Sequence, residues 1–145
     1  MIDLTGFTRL VPPPSANRYW RVFRGRAVRS AEATAWLRYA ADLLKADQEA
    51  VVTASVHIVL QEGKGVSRTA DLDNFCKIAM DAIRPETYDP ETGKVKHPGA
   101  GLVVDDSLPF VRSIRMDVIG EDKPSKSKRG DAALFVKVTE TKVHE

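Results

Sequence analysis

The sequence predicts an α+β domain: a mixed β-sheet with two main helices packed on one face. Two stretches carry apolar residues at helical spacing, and others alternate apolar and polar residues as strands do. No internal repeat or compositional break divides residues 1–145, and 43% hydrophobic content suits one compact domain.

Residues 7–11 read as a short strand stopped by Pro12-Pro13-Pro14. Asn17 to Arg29 is an arginine-rich connection containing Gly25, either a loop or a short irregular hairpin. Ser30 stands where an N-cap is needed, and Glu32 complements the helix dipole in the first turn. From there Ala33, Trp36, Leu37, Ala40 and Leu44 define a helix to about Ala46. Val52, Ala54, Val56, Ile58 and Leu60 form one apolar face of a strand, and Gly63 and Gly65 mark the loop after it. A second helix starts at or just after Asp71; Leu72, Phe75, Cys76, Ala79, Met80 and Ile83 make its core face until Pro85 stops it. Residues 85–100, with three prolines and two glycines, read as a long turn-rich excursion. Leu102 to Val104 is expected to be a short strand leading into Asp105-Asp106. Two further strands follow, one through Phe110, Ile114, Met116 and Val118 and one through Leu134, Val136 and Val138, with a charged loop from Gly120 to Asp131 between them. At least one of these, near 110–119 or 132–139, should be an exposed sheet edge.

The formal net charge is only +2, so the distribution of charge says more than its sum. Residues 1–30 hold six arginines (Arg9, Arg18, Arg21, Arg24, Arg26 and Arg29) against one acid, Asp3. A second basic cluster comprises Lys123, Lys126, Lys128 and Arg129. Such clusters suit an anionic partner, nucleic acid foremost, or else a solvated basic surface. Cys76 is the only cysteine, which excludes an intramolecular disulfide and a cysteine-based zinc site. There is no long apolar run, signal-peptide pattern or lipidation motif, so a cytoplasmic protein without membrane contact is expected. His57, His97 and His144 have no ligand spacing and are taken as structural or exposed.

The chemistry concentrates at Asp71-Leu72-Asp73-Asn74-Phe75-Cys76-Lys77 and at Asp105-Asp106. Several carboxylates supply the hard oxygen ligands Mg²⁺ takes while keeping waters for a phosphate substrate, and a nearby lysine suits phosphodiester chemistry. Twelve aspartates in the chain make about one Asp-x-Asp pair expected by chance, so spacing alone is a weak signal. Position adds weight: Asp73 and Lys77 share a helical stripe off the apolar face. The plainer alternative makes Asp71 an N-cap and Asp73–Lys77 an exposed i,i+4 pair worth about 0.2–0.5 kcal/mol. Because neighbours in an extended strand face opposite ways, only one of Asp105 and Asp106 should join a shared site.

Pro13-Pro14-Ser15-Ala16-Asn17-Arg18-Tyr19-Trp20-Arg21, then Gly25-Arg26 with Ser30, the Asp-Leu-Asp-Asn-x-x-Lys helix start, Asp81-Ala82, and Asp-Asp before a final pair of strands come in a fixed order. In that order, from about Val11 onward, the chain resembles the RusA family of bacterial and phage endonucleases that resolve Holliday junctions. The resemblance implies a RusA-like fold and a homodimer that makes paired symmetric nicks in four-way junction DNA, serving recombination and repair. The cofactor would be Mg²⁺, or Mn²⁺, with no nucleotide cofactor. It implies that Asp71, Asp73 and Asp106 bind metal, that Lys77 is catalytic, and that Asp105 is the weaker candidate beside the third ligand. The origin implied is bacterial, prophage or phage. Arg18, Arg21, Arg24, Arg26 and Arg68 are the expected DNA contacts, with Tyr19 and Trp20 either packing inward or lying against bases.

The chain departs from the family pattern in two places. Ala70 stands before the first motif aspartate, where the family usually has a base, and the 85–100 excursion is longer than expected. Two other functions fit the same residues: a non-catalytic basic DNA-binding accessory protein, and a nuclease for other branched or flap DNA. Dependence on a divalent ion separates the binder from either enzyme.

Overall fold

The computed structural model describes residues 2–67, 69–120 and 130–141. Its frame is a four-stranded sheet of β1 (Thr8–Leu10), β8 (Ala133–Glu140), β4 (Ala54–Gln61) and β7 (Val111–Ile119), in that spatial order. β8 runs antiparallel to β1 and β4, whereas β4 and β7 are parallel, so the sheet is mixed. Parallel neighbours need a crossover. Here it carries α3 (Leu72–Ile83) and a small ribbon of β5 (Thr87–Tyr88) and β6 (Val95–His97). Before β4 come α1 (Ala16–Tyr19), the hairpin β2 (Trp20–Phe23) and β3 (Arg26–Arg29), and α2 (Ala31–Asp47). The predicted α+β class holds, and among the described residues no helix is long and apolar enough to cross a membrane.

The main core lies between one face of the sheet and the two long helices. Alternation sends Ala54, Val56, Ile58 and Leu60 of β4 and Leu134, Val136 and Val138 of β8 to that face. They meet Trp36, Leu37, Ala40 and Leu44 of α2 and Phe75, Ile78, Ala79 and Ile83 of α3. Each large apolar side chain fully buried there contributes about 1.5–3 kcal/mol. Ser30 caps α2 as expected, its hydroxyl accepting the Ala33 N–H at 3.1 Å. On the opposite face, Ile2, Leu4, Phe7 and Ile119 pack against Val59, Ala133 and Phe135.

Two side-chain devices, one on α2 and one at its C-cap, fix the first strand. The Val11 N–H donates to Tyr39 Oη (2.9 Å), and its carbonyl accepts from Trp36 Nε1 (2.8 Å), so the backbone is satisfied just before the three prolines. Where β1 begins, at Thr8, the Gln48 amide takes the place of a strand neighbour. It donates to the Val136 carbonyl (2.7 Å) and accepts from the Val138 N–H (2.8 Å).

Five expectations need correction or sharpening. Leu102–Val104 is not a strand: the Leu102 and Val103 N–H groups bond to the Ile83 carbonyl at the end of α3. Leu72, expected in the core, is exposed and borders a small cavity with Leu60 and Val118 instead of packing against them. Of the two candidate edges, β7 is the edge strand; β8 lies between β1 and β4. The 85–100 excursion contains the β5–β6 ribbon, and the 17–29 segment is a short helix followed by a hairpin.

Candidate active site

A cavity of about 450 Å³ opens between Pro13–Asn17, the loop after β4 and the first turns of α3. The Val11 anchor on α2 delivers the proline run to one wall. Lys64 delivers the other: its N–H bonds the Gly130 carbonyl and its carbonyl accepts the Ala132 N–H, both at 2.9 Å. The floor is α3, whose core face (Phe75, Ile78, Ala79) is held down so that Asp71, Asp73 and Lys77 stay on the exposed side.

Asp71, Asp73 and Lys77 all line this cavity. Asp71 occupies the N-cap position, yet its carboxylate makes no capping hydrogen bond. Among the described residues Asp73 has no ion pair with Lys77 or any other base. The plainer alternative is therefore realised in position but not in bonding. Two carboxylates and an ammonium face a common space, and the positive N-terminal end of α3 favours the negative charge there. Cys76, beside them, is a poor nucleophile, since burial and then the Asp73 charge push its thiol pKa up.

Asp106 is not brought into this group. It lies beside Arg84 just past the C-terminal end of α3, with 3.9 Å between its Oδ2 and Arg84 Nε, and Arg84 also reaches Asp81 at 3.3 Å. Asp105 is engaged locally: the Ser107 hydroxyl and the Asp106 N–H hold its carboxyl below the usual range. The described residues contain no cluster of three or more His, Cys, Asp or Glu able to hold a metal. With no strand at 102–104, alternation does not choose between the two acids.

The arginines divide by role. Arg21, Arg24 and Arg26 are exposed on the β2–β3 hairpin, whose turn residues Arg24 and Gly25 both have positive φ (51° and 73°), as a two-residue type I′ turn requires. Arg21 and Arg24 both lie over Phe23, 5.5 and 5.2 Å from the ring centroid. Arg18 is committed to Glu32 at 3.0 Å. Arg29 is a fastener, bonding His97 Nδ1 (2.9 Å) and the Lys96 carbonyl (3.2 Å). Tyr19 is buried and Trp20 exposed, so of the two aromatics only Tyr19 packs inward. Arg68, the 123–129 basic cluster and His144 lie outside the described residues.

The histidines among the described residues are structural. His57 meets Asp117 at 2.6 Å, and buried His97 holds the Asp81 carbonyl at 2.8 Å. Reasoning from spacing missed Asn17, Asn74, Ser67 and Thr69 as cavity-lining polar residues. A signal was present for two of them, since Asn17 and Asn74 sit inside the two motifs that carry the family resemblance. No protein-family model and no curated protein matches the chain. Fold and site define an α+β domain with an acidic pair and a lysine in an open polar cavity, flanked by an arginine-bearing hairpin.

Proposed function

We propose that this chain is a metal-dependent endodeoxyribonuclease that resolves four-way DNA junctions as a homodimer, as the RusA family it resembles does. The observation that carries the reading is the cavity shared by Asp71, Asp73 and Lys77, with both carboxylates uncommitted to other described side chains. Mg²⁺ is commonly held by one or two carboxylates, with waters and substrate phosphate oxygens completing its shell, and the donor set of Asp71 and Asp73 fits that pattern, as it does Mn²⁺. A bound dication supplies an acidified water and stabilises charge on the phosphoryl oxygens. Lys77 adds a cation close to the scissile phosphate, and the Asn17 and Asn74 amides offer donors that orient its oxygens. Asp106, the third ligand by resemblance, would have to leave Arg84 to join them.

A basic hairpin carrying Arg21, Arg24 and Arg26 supports binding of the DNA backbone by the same molecule. That hairpin would serve a non-catalytic DNA-binding protein equally well, and divalent-ion dependence separates the two functions. The test is a synthetic four-way junction incubated with protein and Mg²⁺, with nicks mapped on all four strands. Wild type should give symmetric paired nicks. Asp73→Asn should cleave orders of magnitude more slowly while binding the junction as well or better, because an acid facing phosphates has been neutralised. Cleavage near the wild-type rate by Asp73→Asn, or full cleavage in EDTA, would overturn the assignment.

A further inference from the structure

The free edge of β7 has the features of a self-recognition surface. β7 ends the sheet order, and no described strand lies beyond it. A nine-residue edge strand is long for one left open, and natural edges of this kind are usually blunted or covered. The Glu62 N–H bonds the Ile119 carbonyl of β7 at 2.9 Å. Alternation from that point turns the backbone groups of Ile114, Met116 and Val118 outward, free to pair with another strand. On the helix-bearing face the same residues leave apolar side chains uncovered, Ile114 at 48% and Val118 at 44% exposure, with Leu72 of α3 nearby across a small cavity. On the other face stand Arg115 and Asp117, already 2.7 Å apart within the strand.

We propose that two copies of this chain pair β7 against β7 in antiparallel register about Met116, joining their four-stranded sheets into one. The register follows from charge. Centring on Met116 sets Arg115 opposite the partner's Asp117 in both halves, as a non-hydrogen-bonded pair whose side chains approach closely. The outward backbone groups then match, Met116 with the partner's Met116 and Ile114 with the partner's Val118, which also pairs apolar with apolar. Centring one residue earlier opposes two Arg115 side chains, and one residue later opposes two Asp117. Both shifts place like charges face to face. The two-fold axis stands perpendicular to the sheet, so α2 and α3 of both subunits lie on the same side and both acidic cavities share that side. This inference deepens the homodimer of the proposed function by giving it a surface, and it does not depend on the nuclease chemistry.

Light scattering on the purified full chain at micromolar concentration tests it, with twice the 16.0 kDa chain mass expected for wild type. Arg115→Asp and Asp117→Arg should each weaken dimerisation by about 10-fold or more, since each creates two like-charge pairs. The double exchange R115D/D117R should restore the dimer, because both opposed pairs reverse together. Met116→Pro removes an outward N–H and leaves the β4 ladder intact, though it also gives up the partly buried Met116 side chain, and should give a monomer whose fold circular dichroism confirms. If Asp117→Arg unfolds because His57 is left without its carboxylate, Arg115→Asp and Met116→Pro decide alone. A monomeric wild type, or a dimer indifferent to Arg115→Asp and Met116→Pro, overturns the proposal. A dimer that obeys these substitutions but cuts no junction with Mg²⁺ sinks the nuclease reading and leaves this interface standing.

Discussion

Replacing Arg21 and Arg24 together by Ala should change how junction binding responds to salt, by an amount the hairpin geometry sets. Both guanidiniums are exposed and lie over Phe23 with no described carboxylate paired to them, so each is free to meet a phosphate. Removing one phosphate-bound cation lowers the slope of log affinity against log salt by about 0.9, so the double variant should fall by about 1.8. Between 50 and 200 mM salt that difference amounts to about 12-fold, so the wild-type advantage over the variant shrinks by that factor. Arg18→Ala should move the slope by less, because Arg18 must first leave Glu32, 3.0 Å away. Fluorescence anisotropy of a labelled four-way junction in EDTA, where no strand is cut, measures the slopes directly. Parallel lines for wild type and the double variant would refute phosphate binding by this hairpin. Because the hairpin is solvent-exposed, the same variant should melt within a few degrees of wild type, which separates weaker phosphate binding from a damaged fold.

The buried His97 ring makes stability depend on pH. Burial chiefly, with the Arg29 and Arg84 charges and against the Asp81 carbonyl bond, holds its pKa below the ordinary 6.5. Its bonds agree, since Nδ1 can accept from Arg29 only while unprotonated. Above pH 6.5 the ring is neutral folded and unfolded, and stability is complete. As pH falls below 6.5 the unfolded chain takes up the proton first, so stability declines until the folded ring's own lowered pKa is passed. Denaturant melts at pH 8, 6 and 5 should show this, with a smaller decline for His97→Gln; equal declines in the two proteins would remove His97 as the cause. Gly99→Ala should cost about 1–3 kcal/mol, because a Cβ there strikes the Arg84 carbonyl oxygen and forces the excursion off the end of α3. An unchanged denaturation midpoint would show that the backbone yields freely at this point.

The long helices and β4 were legible because their signals are local: period, an N-cap at Ser30, and Pro85 as a stop. The ribbon of β5 and β6 was not, since strands of two and three residues carry no periodicity. Leu102–Val104 has strand-like composition, but its N–H groups answer helix carbonyls that no sequence pattern advertises. Leu72 satisfies the helical period yet stays exposed, because a period does not tell which turns of the helix meet the sheet. The same limit applies to the site. Asp73 and Lys77 were legible as a stripe and Asp71 as the residue that opens the helix, but their meeting with Pro13–Asn17 depends on Val11 docking to α2. The parallel partnership of β4 with β7, rather than a hairpin, likewise rests on pairings such as Ser55 with Ser113, far apart in the chain.

The bonds that tie residues 100–103 to the last carbonyls of α3 make the helix a rigid strut with an acid-bearing fixture at each end. Ala100, Gly101, Leu102 and Val103 occupy acceptors that a helix terminus otherwise offers to water. Had the segment been a strand, Asp105 and Asp106 would have travelled with the sheet. Fastened to the helix, the start of their turn is tied to the same element that carries Asp71 and Asp73. From Asp73 to Arg84 the strut rises about 16 Å at 1.5 Å per residue. Any closing of that gap falls first to the Arg84 side chain and the few residues after Val103, which also lead directly into β7.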